Sequence, residues 1–254
     1  MEPMSYLDVG TGTPVVLLHA FPLDALMWDA ARPALADECR LITPDQRGFG
    51  GTQLAGAPDL ALAAADVVDL LDTLDLPRVV LGGCSMGGYV TMAVLRAAPE
   101  RIAGLVLVDT KATEDTDAAR ENRHAVAARA EAEGVGFLAE STPANLLGPN
   151  PPAEVVRTVR ELVAAQQPDA VAWAQRAMAA RPDSTATLRG LDVPALVIRG
   201  AEDGVVTAAD AALLAELLPR ADMVELPGIG HLPPLEAPAE FTAAVSRWLH
   251  TAVR

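Results

Sequence analysis

The chain of 254 residues has two cysteines, Cys39 and Cys84, a single lysine, Lys111, and only 4% aromatic residues. Two cysteines cannot build a disulfide framework, and neither belongs to a C-x-x-C pair. Positive charge is also scarce. Nineteen Lys+Arg against 34 Asp+Glu leave a formal net charge of −15, which argues against nucleic acid and anionic membrane as partners, since both require a basic surface. No run approaches the ~18 apolar residues of a membrane span. The start, Met1-Glu2-Pro3-Met4-Ser5, lacks the basic-then-apolar order of a signal peptide. The expectation is a cytoplasmic protein, a monomer or small homo-oligomer, with a small molecule as its partner.

The composition that remains is ordinary for a globular chain, 51% hydrophobic and 21% charged, and the length suits one large α/β domain or two small ones. Short apolar runs alternate with helical patterns. Val15-Val16-Leu17-Leu18-His19, 40–43, 78–81, 105–108, 195–198 and 223–226 read as strands. Most are apolar throughout, as in a parallel sheet covered on both faces. Residues 6–9 read as an antiparallel edge strand. Segments 60–74, 86–98, 208–218 and 238–249 carry apolar residues at three- and four-residue spacing. In the first, Asp66, Asp69 and Asp72 fall on the opposite, polar side. Residues 112–187 break the rhythm. They contain no strand pattern and read as helices inserted between two strands, a cap over the sheet's ligand-binding edge, with 1–111 and 188–254 forming the core.

The sharpest motif is Gly83-Cys84-Ser85-Met86-Gly87, directly after an apolar strand and directly before a helix. That context makes Ser85 a candidate nucleophile on a tight strand-to-helix turn, with the helix N-terminus facing a developing oxyanion. Serine needs a base. Of His19, His124, His231 and His250, the preferred one is His231, in the glycine-flanked loop Gly228-Ile229-Gly230-His231 before the last helix; His124 and His250 read as solvated. The orienting acid is Asp203, in the loop after 195–198, with Asp109 at the end of 105–108 as its rival. Cys84 reads as a buried small residue pointing away from the nucleophile. There is no His/Cys/Asp cluster with metal-ligand spacing and no glycine-rich phosphate loop, so no metal or cofactor is expected.

The order Ser85…Asp203…His231 resembles that of the α/β-hydrolase fold superfamily. So do His19-Ala20-Phe21-Pro22, Asp45-Gln46-Arg47-Gly48-Phe49-Gly50 and Gly230-His231-Leu232-Pro233-Pro234-Leu235-Glu236. Within it the chain is similar to the esterase, lactonase and perhydrolase branch, including 3-oxoadipate enol-lactonase-like proteins. The resemblance implies an α/β-hydrolase fold, a mostly parallel sheet with helices on both faces. It also implies an oxyanion hole in the loop after the first core strand. Pro22 has no N–H, which leaves the N–H of Phe21, paired with that of Met86. His19 would brace this loop and Arg47 would be structural. Family members usually carry His-Gly where this chain has His19-Ala20, so a conformation needing φ > 0 at position 20 is disfavoured. The implied activity is hydrolysis of a small to medium carboxylic ester or lactone through an acyl-enzyme on Ser85. The alternatives are a C–C bond hydrolase, a cofactor-free perhydrolase, or a slow-turnover ligand receptor. Trp28, Phe137, Leu146, Trp173 and Met178 are candidates for an apolar substrate pocket.

Overall fold

The computed structural model describes residues 3–253. Seven strands form one sheet: β1 (Tyr6–Val9), β2 (Pro14–Leu18), β3 (Arg40–Pro44), β4 (Val79–Cys84), β5 (Ile102–Val108), β6 (Ala195–Gly200) and β7 (Ala221–Leu226). Their spatial order is β1-β3-β2-β4-β5-β6-β7. Only β1 runs antiparallel, Tyr6 facing Pro44 and Val9 facing Leu41. Every other pairing is parallel, so β2 through β7 all end at one edge.

Strands β4 to β7 all extend beyond the apolar runs that mark them. β4 continues through Gly82 and Gly83, which hide a strand's propensity. Gly82 is needed because a Cβ there would stand 2.3 Å from the Val106 carbonyl oxygen. β7 begins at Ala221 with an exposed Asp222, as an edge strand tolerates. Both sheet edges carry charge, Arg40 bonded to Asp8 at 2.7 Å and Arg199 to Glu225 at 2.8 Å, which discourages further strand pairing.

The all-apolar strands are explained by burial on two sides. Val16, Leu18, Leu81, Leu105, Leu107 and Val197 enter one core. Their neighbours Val15, Leu17, Val80, Val106, Val108, Leu196 and Ile198 enter the other. This is the two-residue period of a strand applied to a double-sided sheet; each such side chain contributes about 1.5–3 kcal/mol by leaving water. On the first side lie α2 (Leu60–Thr73), α3 (Met86–Ala97) and α9 (Ala208–Leu217); on the second lie α1 (Arg32–Ala36) and α11 (Pro238–Ala252). α2 buries Leu60, Ala63, Ala64, Val67, Leu70 and Leu71, and Asp59 caps it by accepting from the Ala61 N–H at 2.8 Å. Asp66 departs from the expected solvated face: its carboxylate meets the buried Arg47 guanidinium at 2.6 Å.

Between β5 and β6 run α4 (Asp117–Glu133), α5 (Gly136–Leu146), α6 (Ala153–Ala164) and α7 (Pro168–Ala179), followed by α8 (Thr185–Arg189). α4 packs on α7 and α5 on α6. Buried residues of the first pair join one core, and those of α6 join the other, so the insertion straddles the sheet. Its neck is closed by the Ser184 N–H donating to the Ala112 carbonyl at 2.9 Å. The boundary expected at 187–188 falls inside α8. At the neck, Asp115 is buried and paired with Arg123 and, at 2.8 Å, Arg181. Burial pushes its carboxyl up, but the two guanidiniums outweigh that and carry it down to about 2. Arg181 also stacks 4.0 Å over the Tyr89 ring. Among the described residues no helix is long and apolar enough to cross a membrane.

Candidate active site

The parallel sheet delivers its functional loops to one edge. β4 ends at Cys84 and α3 begins at Met86, so Ser85 alone makes the turn, at φ 53° and ψ −111°. A non-glycine residue in this region costs about 1–3 kcal/mol and persists only where its surroundings enforce it. Here the Ser85 N–H donates to the Val108 carbonyl (2.9 Å), and its own carbonyl accepts from the Gly88 N–H (3.0 Å) and Thr110 Oγ1 (2.9 Å). The flanking glycines allow the close approach: a Cβ on Gly83 would sit 2.3 Å from the Gly87 carbonyl carbon, and one on Gly87 2.1 Å from the Leu18 carbonyl oxygen. Met86 opens α3, so its N–H belongs to the first turn, which has no intrahelical acceptor.

His231 follows β7 and is 1% exposed. Its Nδ1 lies 2.7 Å from Asp203 Oδ2, which fixes Nδ1 as the donor and leaves Nε2 as the acceptor of a neutral ring. Asp203 Oδ1 accepts from the Val205 N–H at 2.7 Å. Burial pushes the Asp203 carboxyl up, yet its bond with His231, the attraction of that ring when it is protonated, and the Val205 N–H carry it below the usual value. Of the preferred acid and its rival, it is Asp203 that holds the imidazole. Asp109 stands behind it at φ 40°, accepting from the Gly200 N–H at 3.0 and 3.2 Å. Ligating atoms of Asp109, Asp203 and His231 all lie within 4.8 Å of one another. An ion there would compete for Nδ1 and Oδ2, which already bond each other, so the trio fits a hydrogen-bonded relay better than a metal site.

The loop after β2 is braced as expected. His19 Nδ1 donates to the Ala20 carbonyl (3.0 Å), Nε2 accepts from the Gln46 N–H (2.9 Å), and Gln46 Nε2 donates to the His19 carbonyl (2.7 Å). Burial holds this imidazole below its ordinary pKa. Its ring meets Phe49 edge-on at 5.3 Å, and Phe49 meets Phe21 at 6.3 Å. Ala20 takes no positive φ, and Phe21–Pro22 is a cis peptide. Arg47 is tied to Asp66 and to the Ala55 carbonyl. Cys84 Sγ faces the His231 carbonyl at 3.5 Å, and burial pushes its thiol well up, which leaves it inert. His124 is exposed, and His250, also exposed, pairs with Glu38 at 3.0 Å.

The five pocket candidates fall in different places. The Leu146 carbonyl accepts the His231 N–H at 2.6 Å, putting the end of α5 against His231. Trp28 is fully buried against Phe241, ring centroids 5.9 Å apart, and so is a core residue. Trp173 donates from Nε1 to the Gly56 carbonyl at 3.0 Å, and the Met178 sulfur is 3.4 Å from Arg123. Phe137 lies half-buried under the Arg129 guanidinium at 4.0 Å. Met178 and Phe137 thus make these contacts within the insertion, and Trp173 ties the insertion to the loop at Gly56.

Two further positions went unassigned in the motif. Glu236, at the end of α10 (Pro233–Glu236), accepts from the N–H groups of Gly230 (3.1 Å), Leu232 (3.1 Å) and Gly148 (2.7 Å). It therefore clamps both sides of His231 and links them to the insertion. A carboxylate one turn into a short helix, able to reach back to its opening N–H groups, was the available signal. Gln166, at the end of α6, donates to Asp24 Oδ2 at 2.9 Å and accepts weakly from the Gly50 N–H at 3.4 Å. No local pattern announces that contact.

A strained serine between strand and helix, with a histidine–aspartate pair from two later loops, defines an α/β-hydrolase. A sequence profile of the alpha/beta hydrolase family matches residues 15–245, and the chain belongs to that family. The structure is similar to that of a thermophilic esterase from Thermogutta terrifontis, with TM-score 0.95 and 41% identity over 99% of this chain and 94% of that one. It is also similar to the enol-lactonase from Burkholderia xenovorans LB400, with TM-score 0.87 and 27% identity over 97% and 96%. In sequence it is 32% identical, over 89% of this chain, to the dihydrolipoyllysine-residue acetyltransferase component of an acetoin cleaving system from Pseudomonas putida. The chain spans 60% of that relative's length and 38% of two further curated relatives.

Proposed function

We propose that the protein is a serine hydrolase that cleaves a small to medium carboxylic ester or lactone. The observation that carries this reading is the pairing of a Ser85 held at φ 53° with a His231–Asp203 bond of 2.7 Å at the same sheet edge. Ser85 Oγ attacks the carbonyl carbon while His231 Nε2 takes its proton. Asp203 holds the ring and stabilises the imidazolium. The N–H groups of Met86 and Phe21 receive the oxyanion. His231 then protonates the departing alkoxide, which in a lactone stays attached to the acyl group, and water activated by the same base releases the acid.

Support for ester and lactone substrates comes from the esterase and enol-lactonase neighbours. The helical insertion bears on the base through Leu146 and Gly148, which makes it the part that shapes access to the reacting carbonyl. A panel of p-nitrophenyl esters and simple lactones, run with wild type and Ser85→Ala, tests the reading. Turnover of short acyl chains that vanishes in the variant is the expected result. Equal turnover by the variant rejects Ser85, and activity confined to vinylogous diketones or to peroxide-dependent halogenation moves the protein to another chemistry.

A further inference from the structure

Asp109 was a rival for the acid and lost it, yet it remains 1% exposed beside an Asp203 that is 7% exposed. Two buried carboxylates this close do not both ionise, because each desolvates and repels the other. The proton settles on the acid with the weaker set of donors. Asp203 receives His231 Nδ1–H and the Val205 N–H, each at 2.7 Å. Asp109 receives one N–H, from Gly200, split between its two oxygens at 3.0 and 3.2 Å. The cation near Asp109 is Arg199, whose guanidinium is engaged by Glu225 and the Val206 carbonyl. The His231 ring also lies nearby, and Cys84, from β4, is a neutral thiol.

Building on the serine-hydrolase reading, we propose that Asp109 is a positioning residue: a neutral carboxylic acid whose O–H donates to the Asp203 carboxylate. It leaves one negative charge behind His231 rather than two. Asp203 then has three donors, one of which is the catalytic ring, and its carboxylate cannot rotate away from Nδ1 without breaking the other two. Burial, and then the Asp203 charge, both hold the Asp109 proton in place well above the usual carboxylate range. The backbone agrees with the choice of residue. At φ 40°, aspartate and asparagine are the side chains best tolerated after glycine.

The test has an arm that needs no turnover. Isotope-edited infrared spectra of protein labelled at the aspartate carboxyl carbons are recorded at neutral pH. The expected result is the carbonyl stretch of a protonated carboxylic acid in wild type and in Ser85→Ala, absent from Asp109→Asn. A wild-type spectrum without that band, or a band that survives in Asp109→Asn, overturns the proposal whatever the enzyme hydrolyses. The kinetic arm uses Asp109→Asn, which keeps an N–H donor, and Asp109→Ala, which does not. Asn should stay within about 5-fold of wild-type kcat, whereas Ala should lose about 10- to 100-fold with KM little changed, as for loss of one hydrogen bond to a charged group. Equal losses in both variants would reduce Asp109 to packing. Failure of the wild type to hydrolyse any ester or lactone would reject the ester-hydrolase reading but leave the infrared result standing.

Discussion

The loops at the sheet edge and the helical insertion above them are built by opposite means. At the edge, position is set by main chain: a serine forced to positive φ, and glycines at which any Cβ would stand little more than 2 Å from neighbouring backbone atoms. In the insertion, position is set by side chains, through Asp115 between Arg123 and Arg181, Arg176 bidentate on Glu131 at 2.6 Å, and Gln166 reaching Asp24. Backbone constraint places a reacting atom to a fraction of an ångström. Side-chain latches hold a wall that can be re-cut without disturbing the chemistry.

The contrast can be broken first where it is strongest. Ser85→Ala and His231→Ala should each lower kcat by about 10⁴- to 10⁶-fold, and in Ser85→Ala the thermal midpoint stays near wild type. Asp203→Asn should cost about 10⁴-fold, since it removes the acceptor that fixes the tautomer; steady-state ester kinetics measure all three. Gly87→Ala drives a methyl into the Leu18 carbonyl, backbone against backbone. It should cost several kcal/mol, about 3 or more, and show as insoluble protein or a large loss in urea midpoint.

In the insertion, Asp115→Asn leaves two guanidiniums without their counter-ion and should cost about 3 kcal/mol, while kcat of the folded fraction changes little. The same variant tests pH dependence. A carboxyl lowered from 3.8 to about 2 on folding contributes stability that is complete above the unfolded value and lost as pH falls through the folded one. Wild-type thermal midpoints should therefore drop between about pH 4 and 2 more steeply than those of Asp115→Asn. The smallest effect belongs to Gln166→Ala, about 1 kcal/mol, read as a change in KM with kcat nearly constant. A fall in kcat instead would mean that this latch positions the base as well as the wall.

Legibility in the sequence follows the same division. Ser85, Asp203 and His231 stand in local patterns because backbone strain demands glycine nearby, and glycine is visible in a sequence. The sequence favours Asp203 as the acid and keeps Asp109 as its rival, because both follow a parallel strand and only tertiary geometry separates them. β4 was shortened and Asp66 placed in solvent because propensity and helical period ignore what a neighbouring strand or arginine requires. The insertion was readable as helices, yet Trp28, Trp173 and Met178 were indistinguishable from pocket residues: large apolar side chains look alike until their partners are known. Gln166 acts across 142 residues, beyond any local signal, whereas Glu236 reaches Gly148 across 88 but also holds Gly230 and Leu232 in a pattern the sequence does carry.

The 2.6 Å bond from the His231 N–H to Leu146 and the Glu236 bridge to Gly148 set a condition on transplanting this scaffold. A foreign insertion grafted between β5 and β6 must present a carbonyl where Leu146 has one and an N–H where Gly148 has one. Otherwise the amide of the base is left buried and unsatisfied, at a cost of about 1–3 kcal/mol. Chimeras that vary the helices freely but keep residues 146–148 should retain catalytic competence; those that replace the three residues should not.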